Sequence, residues 1–547
     1  MKVVQAIAEV LRREGVENLF AYPINPIIEA CAELDIKPII VRQERVGIHM
    51  ADAVSRLSSG RNVGVFACQS GPGAENSFSG IAQAYAESVP LVFLPMGPAR
   101  SHSDYFPNFN SSLNYHHVTK SRETLTDPAA VWDAMRRAFS QARNGRPGPV
   151  MVEVPADVAN LEVEPYDYRP AATLRSAPDP GAIDPVVEAL VNAERPVIYA
   201  GQGVHYAQAW QELLELAELL EIPVATSLDG KSAFPETHSL SLGSGGAANP
   251  APVHHHIKDA DVILGIGCSF ADTPFGIRFP KDREVYHATL DAADVNKDLP
   301  ARGAIIGDAR LTLTALLSAA SERMGGRPRG RLEAVASKIT RQREEWLAEW
   351  MPKLASNQSP LNPYRVIWDL MHTISVPDSV ITHDAGSPRD QLSPFWQTTS
   401  PLSYIGWGKS TQLGYGLGLA MGAKIAEPEK LCINIWGDAA IGMTGMDLET
   451  AVRNNIPIMS ILFNNFSMAM EIPAMPHSTA KFDSTAISGN YTDFARALGA
   501  YAERITEPQD VIPAIERGVQ ATQDGRTVLL EFITQQEIQY SLRSAEN

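Results

Sequence analysis

Short β-branched runs alternate with amphipathic helical stretches along most of this chain. Lys37–Arg42, Asn62–Cys68, Leu91–Leu94 and Pro149–Val154 read as strands. The windows Gly47–Ser58 and Ala74–Glu87 between them carry a helical period. Such alternation predicts parallel sheets covered by helices on both faces. The pattern comes three times. Arg195–Ala200, Pro223–Ser227, Asp261–Gly265 and Glu284–Leu290 form a second set, and Val380–His383, Leu431–Trp436, Met459–Phe463 and Thr527–Phe532 a third. Leu161–Pro180 holds four prolines and little periodicity, and reads as a linker. The stretch from Ser321 to Leu361 reads as a second linker carrying a charged helical segment, Arg341–Glu349. The expected fold class is therefore α/β, with three doubly wound parallel-sheet domains at 1–165, 180–325 and 355–547.

Composition narrows the class. With 46 Lys and Arg against 63 Asp and Glu, the net charge is −17, which disfavours a nucleic-acid partner. The four cysteines, Cys31, Cys68, Cys268 and Cys432, form no CxxC pair. That fits a reducing compartment and gives no zinc signature. No apolar run is long enough for a membrane span, and the first residues lack a signal-peptide core. A cytoplasmic enzyme of several domains is expected.

Candidate chemistry lies at predicted strand ends, where open α/β sheets bind ligands. Ile433–Trp436 runs into Gly437-Asp438, then the small residues Ala439-Ala440. One βα unit later, Met459–Phe463 ends at Asn464-Asn465, with 26 residues between Asp438 and Asn465. Two parallel strands thus present a carboxylate and an amide oxygen on one sheet edge. This oxygen-rich, partly filled site suits Mg²⁺. A helix cap and a turn are the ordinary uses of the same residues. In the first domain Glu44 falls at a strand-to-helix junction, where an acid commonly serves the helix dipole. Val63–Cys68 then runs into Gln69 and the turn Ser70-Gly71-Pro72-Gly73, which lacks the lysine of a P-loop.

Taken together, Glu44, the Ser70–Gly73 turn, and Gly437-Asp438 followed by Asn464-Asn465 resemble the thiamine diphosphate (ThDP) enzymes, in particular the acetolactate synthase-like group and its 2-oxo acid decarboxylases. Arg42-Gln43-Glu44 with His49-Met50-Ala51, Gly145–Val150, and Asp447–Arg453 extend the likeness over nearly the whole chain. The resemblance implies a pyrimidine-binding, a middle and a diphosphate-binding domain. It implies that Asp438, Asn465 and the Ser467 carbonyl hold Mg²⁺, and that Gly386, Ser387, Gly437, Ala439 and Ala440 line the diphosphate. Leu413, in Thr411-Gln412-Leu413, would bend the cofactor, and Glu44 would bond its aminopyrimidine. Sites in such families combine two chains, so a homodimer is the minimum unit and a homotetramer the expected assembly.

The chemistry so implied is decarboxylation of a 2-oxo acid to an enamine. The enamine is then protonated to an aldehyde or adds to a second carbonyl. Glyoxylate carboligases lack the glutamate, so Glu44 argues against that branch. Glu471, seven positions after Asn464, resembles the active-site glutamate of pyruvate and indolepyruvate decarboxylases. Among Met468, Met470 and Ile472 its pKa would rise, suiting it to deliver a proton. Asn25 and Gln69 stand where related enzymes place substrate-facing polar residues; turn and capping roles are the alternatives. His116-His117 resemble the paired histidines of pyruvate decarboxylases, but at a different spacing. His254-His255-His256 read as a surface feature, since neighbours on a helix point apart.

Two departures separate the chain from true acetolactate synthases. Ala474 replaces a tryptophan of the acceptor pocket, and Gly267–Thr273 lacks the arginines of the flavin segment. Gly201-Gln202-Gly203 stays compatible with a nucleotide, and bound FAD is not favoured. The alternatives are an acetolactate synthase condensing two pyruvates, a lyase cleaving a hydroxyketone or dione without decarboxylation, and an idle cofactor-binding subunit.

Overall fold

The computed structural model describes residues 1–542, so the last five residues of the expected third domain lie outside the described residues. Three six-stranded sheets form, and every strand pairing recorded within them is parallel. The first sheet contains β1 (Asn18–Ala21), β2 (Lys37–Ile40), β3 (Gly64–Cys68), β4 (Leu91–Gly97), β5 (Ser121–Thr124) and β6 (Pro149–Pro155), in the order β2-β1-β3-β4-β6-β5. The second has β7 (Val197–Ala200), β8 (Val224–Ser227), β9 (Ser241–Gly245), β10 (Val262–Ile266), β11 (Glu284–Thr289) and β12 (Gly303–Ile306), ordered β12-β11-β10-β7-β8-β9. The third comprises β13 (Ser379–His383), β14 (Tyr404–Ile405), β15 (Leu431–Gly437), β16 (Met459–Asn464), β17 (Tyr501–Ile505) and β18 (Val528–Ile533), ordered β14-β13-β15-β16-β18-β17.

β3, β4 and β6 are buried along their whole length, as sheets covered on both faces require. All six strands that the apolar pattern does not reveal are short or polar. Five of them (β5, β9, β12, β14 and β17) are sheet edges.

The region expected to link the second and third domains is mostly ordered helix. Ala309–Met324 ends at Gly325, and Leu332–Leu354 runs for 23 residues. Trp346 and Trp350 of the latter pack on Phe395, with ring centroids 4.7 and 5.2 Å apart. Charged residues dominate its sequence because only one stripe is covered. Leu161–Pro180 contains no α-helix or named strand, and a 3-10 turn begins only at its last residue, as its prolines imply.

The first and third domains meet within the chain through the helices Glu44–Leu57 and Tyr415–Ala426. Asp52 and Arg56, nearly fully buried, pair at 2.6 Å. Arg56 also donates to the Gly406 carbonyl at 2.9 Å, and the Tyr415 hydroxyl donates to Asp52 at 2.6 Å. This buried pair is satisfied by groups from both domains, which makes it sensitive to their separation. Among the described residues no helix is long and apolar enough to cross a membrane.

Candidate functional site

The third sheet carries an open cleft of about 690 Å³ at the carboxyl ends of β13, β15 and β16. Gly386, Ser387, Leu413, Gly437, Asp438, Ala439, Ala440, Asn465, Ser467 and Glu471 all line it. Thus ten residues singled out from sequence converge on one place, although they come from four separate segments.

Asp438 is the first residue of the helix Asp438–Thr444 and is buried. Its carboxylate accepts from the main-chain N–H groups of Ala439 at 2.9 Å, Asn465 at 3.2 Å and Ser467 at 3.2 Å. Asn465 Oδ1 accepts from Ser467 N at 2.9 Å. Burial pushes the Asp438 carboxyl up to about 6 against those bonds. The donors available to a cation are a carboxylate, an amide oxygen and main-chain carbonyls. All are oxygens, and the cleft leaves space beside them for phosphate oxygens. This set fits Mg²⁺ carrying a diphosphate.

Gly386 caps the helix Ser387–Phe395 with φ +78°, a conformation glycine supplies without strain. A side chain there would also meet Met470 Sδ at 3.4 Å. The N-terminus of that nine-residue helix therefore opens onto the cleft beside Ser387.

Asp384 positions Leu413. Fully buried, it accepts from Ala385 N at 2.8 Å, Gly414 N at 2.9 Å and Gly416 N at 3.1 Å. Burial raises its carboxyl to about 6. The folded state then holds a proton that the unfolded chain has released between roughly pH 4 and 6, so this group's contribution to stability declines as pH rises through that window. An Asp384→Asn variant sets an NH₂ group against main-chain donors. Its melting midpoint falls below wild type, by most at low pH and by less as pH rises to 7. A differential scanning calorimetry series in pH checks this; parallel curves for the two proteins would disprove it.

The first domain holds the other half of the set. Glu44 is the first residue of its helix, 3% exposed, and is bonded by the Asn76 side chain and its own main-chain N–H. Burial holds its carboxyl above the usual carboxylate range. Asn76 lies three residues past Gly73, and nothing in the sequence alone marks it. The turn Gln69, Ser70, Gly71 opens a helix that starts at Pro72 and includes Gly73. Among the described residues, neither this turn nor Glu44 lines the Asp438 cleft.

The remaining residues are placed by local contacts. Asn25 is buried and fully hydrogen-bonded within the first domain. Both amide hydrogens go to the Cys68 and Leu94 carbonyls, at 3.0 and 3.1 Å, and its oxygen takes Ile27 N at 3.0 Å. Its side chain is used up by the turn before a helix. Thr411 does not line the cleft; its neighbour Gln412 bonds His49 across the domain contact at 3.1 Å. Glu471 reaches the rim, yet is exposed, because among the described residues none closes Met468, Met470 and Ile472 around it. His256 is buried, whereas His255 is exposed. The glycines of Gly201-Gln202-Gly203 have a packing reason: a Cβ on Gly203 would lie 2.7 Å from Gly267 Cα, and Gly203 N donates to Gly267 O at 2.8 Å. A flavin is not needed to account for them.

Comparison with known proteins agrees with this geometry. Residues 1–122 match the thiamine pyrophosphate enzyme N-terminal TPP-binding domain, 183–316 the central domain and 384–532 the C-terminal TPP-binding domain. The chain belongs to the thiamine pyrophosphate enzyme family. Relatives include a probable acetolactate synthase large subunit of Methanocaldococcus jannaschii, 31% identical over 95% of this chain and 90% of that protein. The acetolactate synthase isozyme 3 large subunit of Escherichia coli is 28% identical over 95% and 92%. The large subunit of Corynebacterium glutamicum acetolactate synthase is 29% identical over 98% and 87%. This ThDP-dependent enzyme is therefore related to acetolactate synthases, and its two TPP-binding domains are the ones that carry Glu44 and Asp438.

Proposed function

We propose that this enzyme decarboxylates a 2-oxo acid and passes the resulting carbon nucleophile to a proton or to a second carbonyl, an aldehyde or another 2-oxo acid. The observation that carries the reading is Glu471 on the rim of the same cleft as Asp438, beside Met468 and Met470. Bound ThDP supplies the electron sink that such a decarboxylation needs. Asp438, Asn465 and the Ser467 carbonyl hold Mg²⁺, while Gly386, Ser387 and Ala439 meet the diphosphate. Glu44 keeps a proton at the aminopyrimidine ring, and Glu471 delivers one to product.

A second copy of the chain completes the site in this reading. Glu44 and the Asp438 cleft are separate within one chain. Each half also exposes apolar side chains: Ile24, Phe106 and Leu113 in the first domain, and Phe466 and Phe482 in the third. A homodimer joins one protomer's Glu44 to its partner's cleft, and a homotetramer pairs two dimers. Burying those side chains contributes to association.

The names of the relatives favour a second reading, acetolactate formation from two pyruvates. Product analysis by NMR separates the two, using ThDP, Mg²⁺ and a panel of 2-oxo acids with and without an aldehyde. Free aldehyde, or mixed acyloins only when aldehyde is added, supports the decarboxylase/carboligase. Acetolactate from pyruvate alone supports the synthase. Turnover of none of the acids would sink both. Under the first reading, Glu471→Gln lowers aldehyde release by about 10²–10⁴-fold and shifts the remaining product toward acyloin; an unchanged ratio would remove Glu471 from the mechanism.

A further inference from the structure

After β18 the chain stays against the Asp438 cleft. Thr534 N donates to the Asn464 carbonyl at 2.9 Å, and Gln535 N to the Leu361 carbonyl at 2.9 Å. Both residues line the cleft. The next residues run beside the helix Ser387–Phe395, whose first residue, Ser387, lines the same cleft. Gln391 Nε2 donates to the Glu537 carbonyl at 3.2 Å, and the Tyr364 hydroxyl to the Gln539 carbonyl at 2.8 Å. Ser541, fully buried, is held from two sides. Trp346 Nε1 donates to its hydroxyl at 2.9 Å, and that hydroxyl donates to the Asn249 carbonyl of the middle domain at 2.6 Å. Asn249 N in turn donates to the Ser541 carbonyl at 3.2 Å.

Tyr540 lies between the anchored residues Gln539 and Ser541. Its hydroxyl meets Ser387 Oγ at 2.6 Å. Among the described residues on the cleft lining Tyr540 is not included, so its influence there passes through Ser387. Two features make the direction of that bond matter. Pro388, second in the helix, has no N–H, so the helix opens onto the cleft with one main-chain donor fewer than usual. The Ser387 hydroxyl stands beside the missing donor. A phenol, with a pKa of about 10, is a far stronger acid than an alkyl hydroxyl, which favours Tyr540 as donor and Ser387 Oγ as acceptor. The serine proton is then left for another acceptor, and a hydroxyl that accepts one bond donates its own more strongly.

We propose that Tyr540 is a positioning residue for cofactor binding: by donating to Ser387 Oγ it turns the Ser387 hydroxyl proton toward the cleft, where that proton bonds a diphosphate oxygen of ThDP. A bond to a charged phosphate oxygen is stronger than a neutral one. The chain on either side of Tyr540 is fixed to the third and middle domains, so the phenol is held in place before the ligand arrives. This role rests on Ser387 meeting the diphosphate, as proposed above, and is independent of which 2-oxo acid reacts.

Isothermal titration calorimetry of ThDP into the full-length protein at saturating Mg²⁺ tests this, on wild type, Tyr540→Phe, Ser387→Ala and the double variant. Tyr540→Phe keeps the ring and should weaken ThDP binding by about three- to tenfold, the range for one hydrogen bond. Ser387→Ala should weaken it by about 10–100-fold, as a bond to a charged group implies. In the Ser387→Ala background Tyr540→Phe should weaken binding no further, since the group through which it acts is gone. A purely structural tyrosine would instead lower the ligand-free melting midpoint and leave the two effects multiplicative. Unchanged ThDP affinity in Tyr540→Phe would overturn the proposal. So would a double variant weakened by the full product of the single effects. If Ser387→Ala binds ThDP like wild type, Ser387 does not meet the diphosphate; that overturns the role of Tyr540 and leaves the decarboxylation reading to its own product analysis.

Discussion

Replacing Glu44 by Gln lowers turnover of every accepted 2-oxo acid by about 10²–10⁴-fold, the range for losing a positioned acid–base group. The substitution keeps the shape of the side chain and the start of the Glu44–Leu57 helix. It removes the one carboxyl that the first domain buries beside Asn76 at the mouth of the Ser70–Gly73 turn. Burial already raises that carboxyl above the usual carboxylate range, the direction that suits a general acid–base group. ThDP should still bind, since Glu44 lies apart from the residues that line the diphosphate cleft. Steady-state kinetics with calorimetric ThDP binding on the same preparation make the check. A variant that turns over within a few-fold of wild type would show that Glu44 does not act on the cofactor.

Asp438→Ala has the opposite signature: cofactor binding itself is lost. The carboxylate gathers three main-chain N–H groups from two loops. It is also the only charged member of the oxygen set formed with Asn465 and Ser467. In wild type, ThDP with Mg²⁺ at 100 times the dissociation constant stabilises the fold by about 2.7 kcal/mol. The variant should show no such gain, whatever Mg²⁺ concentration is used. Its ligand-free midpoint should change less, because the removed carboxylate is itself held against a desolvation cost. Thermal melts with and without ThDP and Mg²⁺ decide the matter. A full ligand-induced shift in the variant would exclude Asp438 as a metal ligand.

Much of this architecture is legible in the chain. The twelve strands marked by apolar runs include all eight interior strands of the second and third sheets. Interior strands bury both faces and so must be apolar throughout, which leaves a plain record in sequence. Ser121–Thr124 reads Ser-Arg-Glu-Thr and still pairs with β6, because an edge strand is specified by its hydrogen bonds more than by its side chains. Asn18–Ala21 is interior yet only four residues long, too short to display a period. The helix Leu332–Leu354 was obscured for a related reason: its tryptophan stripe is narrow and its charged faces are wide.

The site divides in the same way. Gly437-Asp438 and Asn465 are identifiable from sequence because strand ends place them on one edge, and parallel pairing of β15 with β16 is all that their approach requires. The local order of residues therefore determined the family, the three parallel-sheet domains and the approach of Asp438 to Asn465. Asn25, Thr411 and Glu471 depended on which neighbours the fold brought to them. Two carbonyls separated in sequence consumed the Asn25 amide, the domain contact drew Gln412 away beside Thr411, and among the described residues none buries Glu471. Asn76 at Glu44 and Asp384 under Leu413 are likewise products of tertiary structure alone. Hydrogen bonds and desolvation act through space, so sequence spacing predicts them only where one regular element carries both partners.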